Sequence, residues 1–522
     1  MRLWSVYSFQ RLTRPLSESP CLVSLQNLGG MDYYTWIITI YLLTMAVAFI
    51  LVGKLSDIYG RKPFILAGIG LFTLGALLSG LSNDIFQLIA FRGITGFGAG
   101  IIMSTSFTAI GDLYLPRERA RWTGLMSGIF GISSVLGPLM GGYIVDHLDW
   151  HWVFWVFLPL GIVAFIMIAL LFPKVPRREG EKIDYFGSAF LTVTIVALLL
   201  AFSLAGEGVG KYAWTSWEII GLFSLTILSL IAFMITETKV KSPVLPLSLF
   251  KNDIVTLSNI ALFLLSAGMM GAMIYAPFFI QGVLGISPSG SGFMMMPMSI
   301  VMVFATAFAG QFMTSTGKYK AVAITGLSTA SVGIFLLHLI SVGTPIYLMI
   351  IYLCIIGIGL GLSMPVFSLT VQNAVPLREL GVASASSQLF RNLGNTIGVG
   401  VLGSIMSSKM ASRMMETFSN GQGSGQSQLP PEHAEQIGEL MNPEILLDQP
   451  KLDEITAQMP ADMLPFANNM IESIRNVFSD ALTTTFFAGS IIMFVAVIVA
   501  VFVRAIPLVS AKGHERKLQK TE

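Results

Sequence analysis

The chain has 522 residues, of which 54% are hydrophobic and only 11% charged, with a mean hydropathy of +0.74. Soluble globular domains carry about 25% charged residues, so this composition excludes an ordinary water-soluble fold; a net charge of +2 argues neither for nor against nucleic acid, which is not an expected partner. Two cysteines, Cys21 and Cys354, stand far apart and suggest neither a disulfide framework nor a metal site.

Residues 1–30 contain Arg2, Arg11, Arg14, Pro15, Glu18 and Pro20 and no long apolar run, which fits neither a signal peptide nor a membrane span. From Tyr33 onward apolar runs recur, each long enough to cross about 30 Å of hydrocarbon. Thirteen spans are predicted, at 33–52, 64–82, 85–110, 122–145, 152–172, 186–206, 215–235, 254–282, 292–313, 320–342, 346–373, 385–408 and 481–505. Basic residues gather in alternate loops: Lys54, Arg61 and Lys62; Arg117, Arg119 and Arg121; Lys174, Arg177, Arg178 and Lys182; Lys239, Lys241 and Lys251; Lys318 and Lys320; Arg378; and the tail from Arg504 to Lys520. The positive-inside rule puts these loops and the C-terminus in the cytoplasm. An odd number of spans then leaves the arginine-bearing N-terminus outside, so a first span is expected to be missing before Tyr33, or poorly replaced by residues 1–30.

The expected organisation is an atypical segment at 1–30, a helical bundle at 31–175, two central spans at 176–240, a second bundle at 241–408, an external loop at 409–480, and a last span with a cytoplasmic tail at 481–522. The external loop holds a Gly/Ser/Gln linker, Ser419 to Gln428, and eleven acidic residues against four basic ones. It reads either as a small cap or as a solvated, partly disordered loop. The two halves share landmarks in the same order. Gly96-Phe97-Gly98-Ala99-Gly100 is matched by Gly357-Ile358-Gly359-Leu360-Gly361, and Gly53…Gly60-Arg61 by Gly310…Gly317-Lys318. Parallel repeats about an axis normal to the membrane are a transporter architecture, with substrate bound between the halves.

Four stretches carry polar chemistry among the spans. Gly53-Lys54-Leu55-Ser56-Asp57-Ile58-Tyr59-Gly60-Arg61-Lys62-Pro63 is expected to be a tight loop at the membrane surface. Gly53 and Gly60 allow close helix approach and positive φ. Asp57 can accept from the amide end of a neighbouring helix, and Arg61 offers a fork to a carboxylate, with Asp112 the candidate partner. An ordinary positively charged loop is the plainer alternative. Arg92 lies inside a span, where an arginine is costly and a functional candidate unless it snorkels to the interface. Gly131, Gly137, Pro138, Gly141 and Gly142 would let helices touch and bend. Trp150-His151-Trp152-Val153-Phe154-Trp155 reads as an interfacial aromatic group, with His147 and His151 interfacial rather than metal-binding.

These stretches resemble the signatures of the major facilitator superfamily. Gly53–Pro63 looks like its motif A, G-x-L-[AS]-D-x-x-G-R-[RK]. The segment around Arg92 resembles motif B, whose arginine is implicated in proton transfer. Residues 131–142 resemble motif C, which marks antiporters. Residues 150–161 resemble the W-R-W-x-F-x-x-N-x-P-x-G signature of fourteen-span drug:proton antiporters of the EmrB/QacA type, with His151 and Phe157 departing from it. The acidic L-D-x-T-I-V-N-V-A-L-P motif of that branch's first span has no match in residues 1–30.

The resemblance implies an all-α polytopic membrane protein with two pseudo-symmetric bundles and two extra central spans. It implies no enzyme but a secondary transporter, exporting amphipathic drugs or toxic compounds across the cell membrane in exchange for protons by alternating access, with Arg92 in the coupling. A specific exporter of a metabolite or lipid, or an inactive N-terminally truncated relative, are the alternatives. The expected partners are a small amphipathic substrate, protons and the bilayer, for a protein acting as a monomer. No cofactor or metal is expected, and no G-x-x-x-x-G-K-[ST] loop for ATP is present. Tyr41, Gln281, Arg391 and Asn392 are polar groups that either line a cavity or pair between helices. Met269, Met270, Met273, Met294, Met295, Met296, Met298 and Met302 either line a promiscuous pocket or face lipid.

Overall fold

Backbone in hydrocarbon has no water to satisfy its N–H and C=O groups, so a chain this apolar has to close its hydrogen bonds within helices. The computed structural model describes residues 34–113, 148–173, 184–205, 212–240, 247–316, 319–375, 380–419, 443–447 and 463–504, with isolated positions between 129 and 144 and between 452 and 460. Its long helices are α1 (Tyr34–Tyr59), α2 (Arg61–Ser79), α3 (Ile85–Leu113), α4 (Leu158–Leu171), α5 (Tyr185–Leu204), α6 (Trp217–Lys239), α7 (Asp253–Phe278), α8 (Pro288–Thr316), α9 (Tyr319–His338), α10 (Ile346–Asn373), α11 (Leu380–Ser419) and α12 (Leu464–Phe502). A single turn, Trp152–Trp155, precedes α4, and one π turn, Phe279–Val283, continues α7. The predicted span 122–145 is described only at scattered positions, which are helical. Residues 1–33, and with them the expected loss of a first span, lie outside the described residues.

Among the described residues, ten helical segments are long and apolar enough to cross a membrane. α11 is not among them, and Gln388, Arg391, Asn392 and Asn395 make its first half polar. Two predicted boundaries move far. The span expected at 385–408 belongs to a helix of 40 residues, and the one at 481–505 to a helix of 39. At 1.5 Å per residue each is about 60 Å long, twice the hydrocarbon thickness.

The bundles are built by backbone approach at glycines. Gly96 and Gly100 of α3 press on α1, where an added Cβ would stand 2.3 Å from the carbonyl oxygens of Tyr41 and Met45. Gly98 turns the other way, 2.5 Å from the amide nitrogen of Phe72 in α2. The second half repeats this. Gly357 and Gly361 of α10 meet the carbonyls of Met298 and Met302 in α8 at 2.3 and 2.4 Å, and Gly359 meets the amide nitrogen of Ala330 in α9 at 2.3 Å. Small residues at such seams let van der Waals contact, which is what holds helices together in lipid, act between backbones. The repeat seen in the sequence is therefore a repeat of packing: α1, α2 and α3 correspond to α8, α9 and α10.

α7, α11 and α12 complete the second bundle, with α7 packed on α11, α12 and α10. The cluster of methionines sits in this bundle's interior: Met269, Met270, Met294, Met295, Met298 and Met302 are buried, while Phe293, Phe304 and Phe308 take the outward positions on α8. The expectation that the cluster faces lipid is thus corrected for these six, because hydropathy cannot tell a lipid face from a core face. The central pair is asymmetric. α5 wedges between α1 and α11, with Leu191, Ile195 and Leu199 buried against Leu43, Ala46 and Leu389. α6 packs outside it and exposes Trp217, Ile220, Ile227, Leu228, Ile231 and Ile235. A polar tie between them runs from Thr194 Oγ1 to Ser229 Oγ at 2.9 Å.

The described parts of the loop between α11 and α12 are packed. A 3-10 turn, Pro443–Leu447, buries Ile445 and Leu446 in the second bundle's core beside Phe279 and Val283. Arg413 on the extension of α11 pairs with Asp480 on α12 at 2.6 Å and with Glu416 at 2.9 Å. Those bonds, to Glu416 first and then to Asp480, raise the already high pKa of Arg413.

Candidate functional site

Residues 53–63 do not form the expected loop. α1 stays helical through Tyr59, a single residue, Gly60, breaks the chain, and α2 begins at Arg61. Gly60 has φ 96° and ψ 149°, a conformation essentially closed to side-chain-bearing residues. Pro63 fits within the first turn of α2, where no intrahelical N–H is needed. Polarity here marks where the chain leaves the hydrocarbon, and the helix runs past that point.

Arg61 turns inward, 5% exposed, and its Nη1 donates to Ser56 Oγ at 2.6 Å. Lys62 Nζ donates to the carbonyl of Phe172 at 3.3 Å, at the end of α4 where the helix dipole is negative. The stretch thus clasps the ends of α1, α2 and α4. Gly53, Asp57 and Asp112 lie on α1 and α3, but the side chains of the two acids lie outside the described residues, so the expected pairing of Arg61 with Asp112 does too. In the other half, an added Cβ on Gly310 meets nothing within 4 Å, and residues 317–318 lie outside the described residues. The second copy keeps its spacing without a close approach at Gly310.

Arg92 lies two turns into α3 and is 3% exposed. Burial rules out snorkelling. Its guanidinium stacks on the ring of Tyr41, 4.4 Å from the centroid, and its Nε has no hydrogen-bond partner. The other buried charged side chains described, Arg61, Asp184 and Glu237, lie at helix ends. Asp184 caps α5 by accepting from the Gly187 amide at 2.8 Å, and Glu237 closes over the same glycine from the last turn of α6.

Of the glycine-rich stretch, Ile129, Ser133, Gly137 and Gly141 are helical and buried, four residues apart and so on one face. Gly131, Pro138 and Gly142 lie outside the described residues. The aromatic group is compact: Trp150 stacks on His151 at 3.9 Å between centroids, His151 stands 5.9 Å from Trp155, and Trp155 Nε1 donates to the Leu77 carbonyl at 3.4 Å.

Among the four polar candidates, Tyr41 is on α1 while Arg391 and Asn392 are on α11, two helices that pack together. Arg391 donates to Gln388, and Asn392 is buried. Gln281 stands apart, buried in the π turn that continues α7, beside the Pro443–Leu447 turn. Neither the contact of Lys62 with the Phe172 carbonyl nor Asn259 stood out in the sequence. The Asn259 amide donates to Ser386 Oγ and accepts from Ser387 Oγ, both at 3.0 Å, tying α7 to α11. An asparagine inside a span was the available signal. Among the described residues no group of three or more His, Cys, Asp or Glu could hold a metal.

Two parallel helical repeats, seamed by glycine and flanking a central pair, define a polytopic membrane transporter of the two-bundle class. The chain belongs to the Major Facilitator Superfamily, whose family model matches residues 20–399. It is 36% identical to the multidrug transporter protein MdtP of Bacillus subtilis over 492 residues, covering 94% of this chain and 90% of that one. It is 32% identical to multidrug resistance protein 3 of the same organism over 401 residues, covering 77% and 78%. Its fold is shared with a bacterial homolog of the human lysosomal transporter Spinster, solved in an inward-facing and occupied conformation, with a TM-score of 0.62 at 14% identity over 97% of this chain and 96% of that one.

Proposed function

We propose that this protein exports amphipathic, mostly apolar compounds from the cell in exchange for protons, as a member of the fourteen-span drug:proton antiporter branch. The observation that carries the reading is the meeting of the two repeats at an apolar seam of α1, α5 and α11, through Leu43, Ala46, Leu191, Ile195, Leu199 and Leu389. Apolar contacts have no direction, so such a seam lets two rigid bundles rock past one another at low cost. Arg391 and Asn392 of α11 stand beside it and would face the substrate path, with Tyr41 on the other bundle. The buried glycine face at Gly137 and Gly141 supports exchange rather than uptake. The names of the Bacillus relatives support a broad drug substrate.

Basic ends are cytoplasmic in this reading, which puts Gly60, Lys62, Lys239, Lys251 and the C-terminus inside. The clasp of Arg61 and Lys62 on the ends of α1, α2 and α4 then serves as a latch that holds one conformation until a proton or substrate shifts the balance. Cells expressing the chain and preloaded with ethidium test the reading. Energised efflux that stops on adding a protonophore supports it. Efflux no faster than in cells without the chain, at confirmed membrane abundance, rejects it.

A further inference from the structure

Arg92 is a permanent cation, 3% exposed, with an unsatisfied Nε donor and an aromatic ring as its contact. Cation–π stacking on Tyr41 offsets only part of the cost of dehydrating the charge. The packing repeat shows that the fold itself does not ask for this charge. Four residues ahead of Gly96 stands Arg92, and four residues ahead of Gly357 stands Leu353, fully buried. The carbonyl that Gly96 meets belongs to Tyr41, and the one that Gly357 meets belongs to Met298. One half has leucine and methionine at these two positions, both buried, and the other has arginine over tyrosine, in the same backbone frame.

We propose that Arg92 and Tyr41 form an anion-recognition subsite, at which the guanidinium binds the carboxylate of an amphipathic substrate while the apolar body lies among the surrounding side chains. The guanidinium fork matches a carboxylate, and Tyr41 holds the fork flat from one face. The subsite rests on the export reading and narrows it to substrates that include organic anions and zwitterions.

Two dyes sharing one apolar body and ring charge separate recognition from coupling: rhodamine B, which carries a free carboxylate, and its ethyl ester. Binding of each is measured by fluorescence to the purified full chain in phosphatidylcholine nanodiscs, and export of each in cells. Arg92→Leu copies the residue the other half uses and should keep the fold, checked by abundance and monodispersity; Arg92→Lys keeps the charge. The subsite requires Arg92→Leu to weaken rhodamine B binding at least tenfold, Arg92→Lys to weaken it less, and the ester to stay within about twofold. Equal loss of both dyes would assign Arg92 to coupling or to an acid of this chain and overturn the subsite, as would no loss of either. A tenfold weakening of rhodamine B on adding phosphatidylglycerol to the nanodiscs would assign the site to lipid phosphate and also overturn it. Absent export with intact, carboxylate-selective binding would reject the export reading and leave the subsite standing.

Discussion

Three glycines illustrate how one residue type does different work. Gly60 is held at φ 96°, where a Cβ is strained, so Gly60→Ala should cost about 1–3 kcal/mol and lower the melting temperature in detergent. Its larger effect should be on transport, because the strained residue is the break between α1 and α2. Gly98 has ordinary helical geometry but backbone 2.5 Å from where a Cβ would sit. Gly98→Ala has to separate α2 from α3 and should destabilise the first bundle. Gly221 on α6 has nothing within 4 Å, and Gly221→Ala should be neutral or stabilising by up to about 1 kcal/mol. Melting temperatures of the three variants, measured side by side, test that order. Equal effects would mean that backbone approach does not hold the bundle.

At the scale of elements, the central pair depends on its cap and its tie. Asp184 satisfies the first turn of α5, and Asp184→Ala should cost about 1 kcal/mol; Thr194→Val removes the bond to Ser229 and should cost about as much. Limited proteolysis in the segment before Tyr185 should accelerate in the first variant and not in the second. On the other side of α11, Asn259→Leu breaks two bonds to Ser386 and Ser387 and should lower stability by about 1–2 kcal/mol, read by thermal denaturation in detergent. Most of these elements were legible as spans, since length and apolarity suffice to find a helix in hydrocarbon. Their ends were not. α11 and α12 continue where Arg413 and Asp480 make the sequence polar, and α1 continues through Lys54 and Asp57, because hydropathy reports the solvent and not the helix. Contacts across the chain, such as Lys62 with the Phe172 carbonyl, carry no local pattern at all.

The repeat is the feature of the whole molecule that the sequence showed best. Three glycines in one helix, matched by three in another, marked α3 and α10 before any packing was known, and their partners Tyr41, Met45, Met298 and Met302 follow the same register. The breaks in that symmetry were harder to see as such. Arg92 was visible as a charge in a span and the glycine repeat aligns it with Leu353, but that Tyr41 lies under it needed the packing. Two repeats around an apolar seam imply motion of one bundle against the other, which the proposed function couples to protons. The most direct measurement uses the full chain reconstituted into sealed liposomes, with an imposed pH gradient, and follows ethidium and internal pH together. Coupled antiport predicts ethidium accumulation against its concentration gradient on the acidic side, with protons leaving that side in step and both fluxes ending when the gradient is collapsed. Ethidium movement that ignores the imposed gradient, or proton flux indifferent to ethidium, would contradict it.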